Sequence, residues 1–313
     1  MEKVTIQGIK ANDHRVLSRV ITHIENDDYM QDQRFIELYD QAQEAIRLGI
    51  TGPPGAGKST ITNELIKRFL KKNQTIGVIA IDPSSPFSGG ALLGDRIRMN
   101  HYNNDKSVFI RSMGSHGNLG GLARKTQEAG DILAASGKDI IIFETVGVGQ
   151  GEYDIAKAAD ITVLVLVPES GDEIQLMKAG LVEIADLFVI NKSDREGSDR
   201  LADTLKSMIN DMGNKSKPDA PVYTTVASNG KGMDKLFDGV FEHLDKLDRC
   251  GLLIQKKKER YRNRVKKLIQ DQLLDEFWTE DRIRKLEDAT KSLDTITESP
   301  YSIANDILKS FKS

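Results

Sequence analysis

Cysteine is nearly absent from this 313-residue chain: Cys250 stands alone, so no internal disulfide can form. A lone thiol and five scattered histidines offer no spacing for a thiolate zinc site, and the composition suits a reducing compartment. Aromatic residues are 6% with one Trp, too few rings for serial base stacking. Charge of one sign is lacking as well. The 44 Lys+Arg against 47 Asp+Glu leave a net charge of -3, with no cationic excess to neutralise a phosphate backbone, which argues against a dedicated nucleic-acid binder. The longest apolar run, Ile161 to Val167, falls far short of the roughly 20 residues a membrane span takes. The opening MEKVTIQGIKANDHRV holds no apolar core of signal-peptide length. A cytoplasmic protein is expected, with neither membrane nor nucleic acid as partner. What the chain does have is 39% hydrophobic residues, enough for one large domain or two modest ones.

Three textures follow one another. Residues 1–45 read as a helical extension, with Val16, Leu17, Val20, Ile21 and Ile24 at helical spacing, then Phe35, Leu38, Ala42 and Ala45. From 46 to 248 short β-branched runs alternate with helix-length polar stretches. The runs are Arg47–Thr51, Thr75–Ile81, Val108–Ile110, Asp139–Phe143, Ile161–Val167, Leu187–Ile190 and Pro221–Val226. Runs apolar on both alternating faces predict strands covered by helices on both sides, hence an α/β fold with a doubly wound, mostly parallel sheet. From 249 to 313 the pattern is helical again. Eight of the twelve residues from Lys256 to Lys267 are Lys or Arg, followed by Leu268, Ile269, Leu273, Leu274, Phe277 and Trp278. That charge run reads either as a solvated helix face or as a docking patch for an acidic partner.

Ligands of doubly wound sheets bind beyond the carboxyl ends of the strands, and that is where the unusual segments of this chain fall. Gly52, Pro53, Pro54, Gly55, Ala56, Gly57, Lys58 and Ser59 fit G-x-x-x-x-G-K-[ST] between a strand and a helix, with Thr60 following. In such a P-loop the glycines let backbone N–H groups wrap phosphate oxygens, the lysine meets the β/γ-phosphates and the Ser59 hydroxyl serves Mg²⁺. Asn191, Lys192 and Asp194 close the Leu187–Ile190 run as N-K-x-D. A carboxylate there can accept from both N1–H and the exocyclic amine of guanine, Lys192 can lie along the base, and Asn191 can brace the loop. Val226, Ala227 and Ser228 come after the next run, placed to offer backbone N–H groups to the guanine carbonyl. GTP and GDP are therefore expected as ligands rather than ATP. Glu144 and Gly147 sit where a sensor of the γ-phosphate belongs: the Glu144 carboxylate can reach the Mg²⁺ shell or a water, and the Gly147 N–H can bond the terminal phosphate, so that hydrolysis releases the loop. Asp82 ends another run and Asp95 follows a Gly/Ser/Pro loop; both are candidates to approach Mg²⁺, while Asp95 equally reads as a helix cap.

The segments Gly52–Thr60, Asp82 to Phe87 with Gly89 to Met99, Arg111 to Met113 with Gly120 to Ala123, Glu144 to Gln150 and Asn191–Asp194 together resemble the MeaB/ArgK family of GTPases. The helical preamble from Asp13 to Glu25 and the stretch Ser299 to Ala304 resemble it too, so the likeness spans nearly the whole chain. Glu-Thr-Val-Gly together with the Asp82 to Met99 block separates it from signal-recognition GTPases. The resemblance implies a homodimer arranged through a C-terminal helical dimerisation arm. It implies a G-protein chaperone of an adenosylcobalamin-dependent acyl-CoA mutase, chiefly methylmalonyl-CoA mutase, gating cofactor loading, protection or reactivation, with the mutase accelerating GTP hydrolysis in turn. By position it gives Lys58 and Ser59 to phosphate and Mg²⁺, Asp82 and Asp95 to the neighbourhood of the metal, and Glu144 to Gln150 to switch II. Pro168 to Leu181 becomes a further partner-responsive switch in which Lys178 swings toward the nucleotide; read from the sequence alone, Lys178 is a helical lysine. Val226 departs from the serine of many GTPases, at a place where the contacts are mostly backbone.

No glutamine or arginine is evident as a water-orienting group, so slow intrinsic hydrolysis that rises with a partner is expected. Two other functions share this fold. A nickel metallochaperone GTPase needs a soft or imidazole ligand cluster, which Cys250 with His14, His23, His101, His116 and His243 does not make by spacing. An ATP-dependent kinase of transport-related binding proteins predicts ATP preference, against which Asp194 argues.

Overall fold

The computed structural model describes residues 6–26, 37–39, 42, 44–82, 102, 105–114, 119–145, 151–170, 181–212, 220–290 and 299–312. They fall in two compact units, Met1–Lys257 and Lys258–Ser313.

The first unit is built on a seven-stranded sheet in the order β3-β2-β4-β1-β5-β6-β7. Its strands are β1 (Ile46–Thr51), β2 (Ile76–Asp82), β3 (Val108–Gly114), β4 (Ile140–Thr145), β5 (Ile161–Leu166), β6 (Leu187–Ile190) and β7 (Val222–Thr224). Every neighbouring pair is parallel, as strands buried on both faces require. Period-two alternation sends Ile76, Val78, Ile140, Ile142, Ile161, Val163 and Val165 into one core, with Leu65, Phe69 and Phe237 from helices above it. Ile79, Ile141 and Phe143 point the other way into a second core, and Leu164, Leu166, Phe188 and Ile190 into a third.

Helices α1 (Ile6–Lys10) and α2 (His14–Glu25) open the unit. Asp13 caps α2, its carboxylate accepting from the amides of Arg15 at 2.8 Å and Val16 at 3.2 Å. Leu17, Val20, Ile21 and Ile24 are buried in the second core beside Phe109 and Leu133. Arg111 of β3 pairs with Glu25 and donates to Thr22 Oγ1 at 3.0 Å. The opening helices thus cover one face of the sheet. Further α-helices among the described residues of the unit are α3 (Lys58–Lys71), α4 (Leu119–Ala135), α5 (Gly151–Ala158), α6 (Leu181–Ile184), α7 (Ser198–Met212) and α8 (Met233–Arg249), with α9 (Leu252–Phe277) beginning at its end.

The second unit comprises the rest of α9, α10 (Glu280–Thr290) and α11 (Pro300–Lys312). Phe277 and Phe311 meet edge to face with centroids 5.3 Å apart, and the Arg282 guanidinium lies 5.2 Å and 5.1 Å from their centres. Helix α9 buries no residue, and Tyr261, Ile269, Leu273 and Leu274 stand exposed along it. No helix among the described residues is long and apolar enough to cross a membrane.

Because Leu17 is fully buried against the sheet, Leu17→Ala should lower the unfolding free energy by about 2–5 kcal/mol, read from urea denaturation. A change below about 0.5 kcal/mol would mean that α2 is not part of the cooperative unit.

Candidate functional site

Three elements meet at the carboxyl ends of the strands: the loop after β1, the last residues of β4, and the segments after β6 and β7. The first leaves β1 as Gly52 and enters α3 at Lys58. Gly52 has φ 141, and a Cβ there would stand 2.0 Å from the Val165 carbonyl oxygen. Gly57 has φ 88, and its Cβ would stand 2.3 Å from Asn191 Nδ2. Both positions exclude any side chain, so the loop lies tight against β5 and β6. The Ala56 amide closes a turn onto the Pro53 carbonyl at 3.3 Å, and Ile61 donates to Gly57 at 3.0 Å. Among the described residues, the amides of Gly55, Gly57, Ser59 and Thr60 have no acceptor within the chain. They are donors at a helix N-terminus, where the helix dipole favours an anion. Lys58, 6% exposed, donates through Nζ to the carbonyls of Gly52 at 2.8 Å and Pro53 at 2.9 Å. Its ammonium is thus held over the loop.

The second element is the end of β4. Glu144 is 2% exposed; its Oε1 accepts from Ser59 Oγ at 2.6 Å and its Oε2 from Thr62 Oγ1 at 2.8 Å. Beside it the Thr51 and Thr145 hydroxyls are 3.1 Å apart. Buried carboxylate charge is tolerated where hydroxyls supply hydrogen bonds in place of water. Ser59 and Thr62 present both donors from one face of α3, three residues apart. Thr62 carries no motif signal; the i, i+3 spacing from Ser59 is the feature that marks it.

The third element joins the strands β6 and β7. Asn191 is buried and bonds in three directions. Its Nδ2 donates to the Ala56 carbonyl at 2.9 Å, and its Oδ1 accepts from Thr225 Oγ1 and from the Ala227 amide, each at 3.1 Å. The brace expected of Asn191 is therefore made, and it runs from the loop after β1 to the loop after β7. Lys192 takes φ 56, and Asp194 is exposed with its carboxylate open to solvent. In the segment Val226 to Lys231, the amides of Val226, Ala227, Asn229, Gly230 and Lys231 donate within the chain. The Ser228 amide has no acceptor among the described residues.

Two further groups border the site without a motif to announce them. Glu152, in the first turn of α5, is half-buried; burial pushes its carboxyl up, partly offset by the Lys58 ammonium. Arg195, one residue past Asp194, pairs with Glu169 at the start of the segment 168–181. Asp82 ends β2 in register with Gly114. Gly147, Asp95 and Lys178 lie outside the described residues. No group of three or more His, Cys, Asp or Glu side chains is placed to hold a metal among the described residues. The chemistry near Ser59 is hard oxygen, the kind of donor Mg²⁺ takes together with phosphate oxygens and waters rather than in an all-protein cage.

A parallel sheet with helices on both faces, a G-x-x-x-x-G-K-S loop folded over its own lysine and an N-K-x-D loop braced against it define a P-loop nucleotide-hydrolysing fold. Comparison narrows this. The model of the family described as methylmalonyl Co-A mutase-associated GTPase MeaB matches residues 17–282, and the chain belongs to that family. It is a GTPase. A chain of Pyrococcus abyssi named as a GTPase is 44% identical, over 97% of this chain and 95% of its own length. The GTPase ArgK of Escherichia coli is 31% identical over 88% and 85%. The mitochondrial methylmalonic aciduria type A homolog of Mus musculus is 37% identical over 90% of this chain and 69% of its own. A crystal structure of a LAO/AO transport system kinase superposes with a TM-score of 0.70, covering 98% of this chain and 96% of that one; at 23% identity it speaks for the fold alone.

Since Asn191 serves both loops from a buried position, Asn191→Ala strands the Ala56 carbonyl and the Ala227 amide. GDP affinity in a calorimetric titration should fall by about 1–3 kcal/mol, which is about fivefold to 150-fold. Unchanged affinity would show that the loops keep their places without it.

Proposed function

We propose that this GTPase binds GTP and GDP with Mg²⁺ in the site described and acts as a chaperone of an adenosylcobalamin-dependent acyl-CoA mutase of the methylmalonyl-CoA type. The observation that carries the nucleotide reading is the Asn191 brace, which fixes a phosphate-binding loop and a base-binding loop relative to each other. The phosphates occupy the free amides of Gly55, Gly57, Ser59 and Thr60, and Lys58 exchanges its carbonyl partners for phosphate oxygens. Asp194 accepts from the two donors on the guanine edge, and Lys192 lies along the base. In the 226–228 loop the Ser228 amide is the donor available to the guanine carbonyl. Ser59 would hold Mg²⁺, with Asp82 and Asp95 near it; Glu144, occupied by two hydroxyls, orients Ser59. The metal supplies charge neutralisation on the phosphates.

Phosphoryl transfer to water passes through a loose transition state in which positioning and positive charge do most of the work. Lys58 and the α3 amides provide that charge on this chain. Gly147 in the switch segment senses the terminal phosphate, and Lys178 with the segment 168–181 responds to the partner. Intrinsic turnover is accordingly slow and rises when a partner orders these segments. The mutase reading is supported by membership of a family described by its association with methylmalonyl Co-A mutase, and by the mouse relative named for methylmalonic aciduria. The exposed apolar side chains of α9 support a homodimer formed through the C-terminal arm, since patches of this kind mark association surfaces. The cytoplasm is the compartment that fits the lone cysteine.

Three measurements test this. Lys58→Ala should reduce GTP turnover by about 10²–10³-fold, and Asp194→Asn should shift nucleotide preference from guanine to xanthine in competition binding. Affinity capture from the native host with the protein held on a non-hydrolysable GTP analogue should recover a cobalamin-dependent mutase. Recovery of none would remove the partner assignment and leave the GTPase intact.

A further inference from the structure

The helix that starts in the phosphate loop also reaches the base loop from outside. Arg68, in the last turn of α3 with its side chain 14% exposed, donates from Nε to Asp234 Oδ1 at 2.7 Å. Its Nη1 donates to Glu64 Oε2 at 2.7 Å and to the Glu64 carbonyl at 3.0 Å. Asp234 lies in the first turn of α8, directly behind the segment Val226 to Gly232. That helix starts on Gly232 with no side-chain cap. At the tip of the segment Gly230 has φ 79, and a Cβ there would stand 3.7 Å from Glu64 Oε2 and 3.8 Å from Arg68 Nη2. The loop tip therefore passes beside the Glu64–Arg68 pair, and the loop is followed at once by Asp234, which Arg68 holds. Behind these contacts Phe69 packs edge to face on Phe237, centroids 5.1 Å apart. Asn191 thus holds the base loop on its inner side, and Arg68 holds Asp234, two residues past the loop's end.

We propose that Arg68 is a positioning residue for base recognition, holding the 226–232 loop through Asp234 and Glu64 so that the Ser228 amide stands at a fixed distance from the phosphate loop. The proposal rests on the reading of that loop as the guanine site. An arginine suits the task because its planar fork serves two carboxylates and a carbonyl at once, which an ammonium cannot match in direction. Lys67 also donates to Glu64, at 2.7 Å, so Glu64 keeps a cation when Arg68 is removed, and the loss falls on Asp234 and the loop. Asp234 is 85% exposed, so solvent screens the pair and the effect on binding is modest.

The test measures GDP and inorganic tripolyphosphate affinity by calorimetry, with kcat and KM for GTP, on the full chain carrying Arg68→Ala, Asp234→Ala, both, or Arg68→Lys. Arg68→Ala should weaken GDP by about threefold to fivefold, raise KM alike, and leave tripolyphosphate affinity and kcat at saturating GTP in place. Asp234→Ala should do the same, the double variant no worse than Arg68→Ala, and Arg68→Lys should fall between. Wild-type GDP affinity in both single variants would overturn the proposal, as would an equal loss for tripolyphosphate or a fall in kcat with KM unchanged. If Arg68→Ala does not fold, Asp234→Ala, on an exposed side chain, decides alone. Asp194→Asn in the same assays separates the two levels. Guanine preference surviving Asp194→Asn would remove the base-site reading itself, whereas its loss beside an unmoved Arg68→Ala would remove only the role given to Arg68.

Discussion

One buried carboxamide sets the spacing on which the nucleotide site depends. β1 and β6 flank β5 in the sheet, so the loops that leave them are separated by a full strand and have no backbone ladder in common. Asn191 spans that gap, giving its two polar ends to the Ala56 carbonyl on one side and to Thr225 and Ala227 on the other. An amide is the group for this because it donates and accepts on the same rigid plane, whereas a carboxylate would repel the Ala56 carbonyl. The glycine at 57 is a consequence: any Cβ would strike Asn191 Nδ2. Sequence at one loop is thereby constrained by a side chain from another.

The phosphate end follows a different logic. Glu144 is almost wholly buried, and the penalty for ionising it there is offset by two hydroxyl donors on α3. Because Ser59 is one of these donors, any cation drawn to the Ser59 oxygen meets a hydroxyl whose proton already points to Glu144. β4 and α3 are coupled by that contact.

The central strands were legible because they are buried on both faces, which writes each as a largely apolar run. Where that condition lapses, the reading stops early. β3 continues four residues past Ile110 to Gly114, but Arg111 and Ser112 break the apolar run, Arg111 being turned to Glu25 of α2. β7 is shorter than its run, Val222–Thr224, because Thr225 and Val226 turn away toward Asn191 and Lys231. The two nucleotide loops were legible from motifs, since phosphate and guanine impose residue types at fixed spacing. Thr62 and Arg68 were not, because the partners they bond, Glu144 and Asp234, are distant in the chain. Helical spacing showed that α2 has an apolar face; only the fold shows that β3 and α4 are what it covers.

The two ends of the sheet are treated oppositely, and the difference locates function without any motif. At the amino ends, aspartates accept the amides on which strands begin. Asp139 takes Thr75 at 2.7 Å, Asp160 takes Arg47 at 2.9 Å and Asp186 takes Thr162 at 2.8 Å. Lys256 then neutralises Asp186 through both oxygens, at 2.6 Å and 2.7 Å, and Arg47 pairs with Asp131 at 2.5 Å. Donors and charges there find their partners inside the chain. At the carboxyl ends the α3 amides, the Ser228 amide and the Asp194 carboxylate are left to meet something else. A chain able to satisfy its backbone at one end with three aspartates had the means to do so at the other. Leaving those donors open at the carboxyl ends is what a binding site for a phosphorylated base requires of the fold.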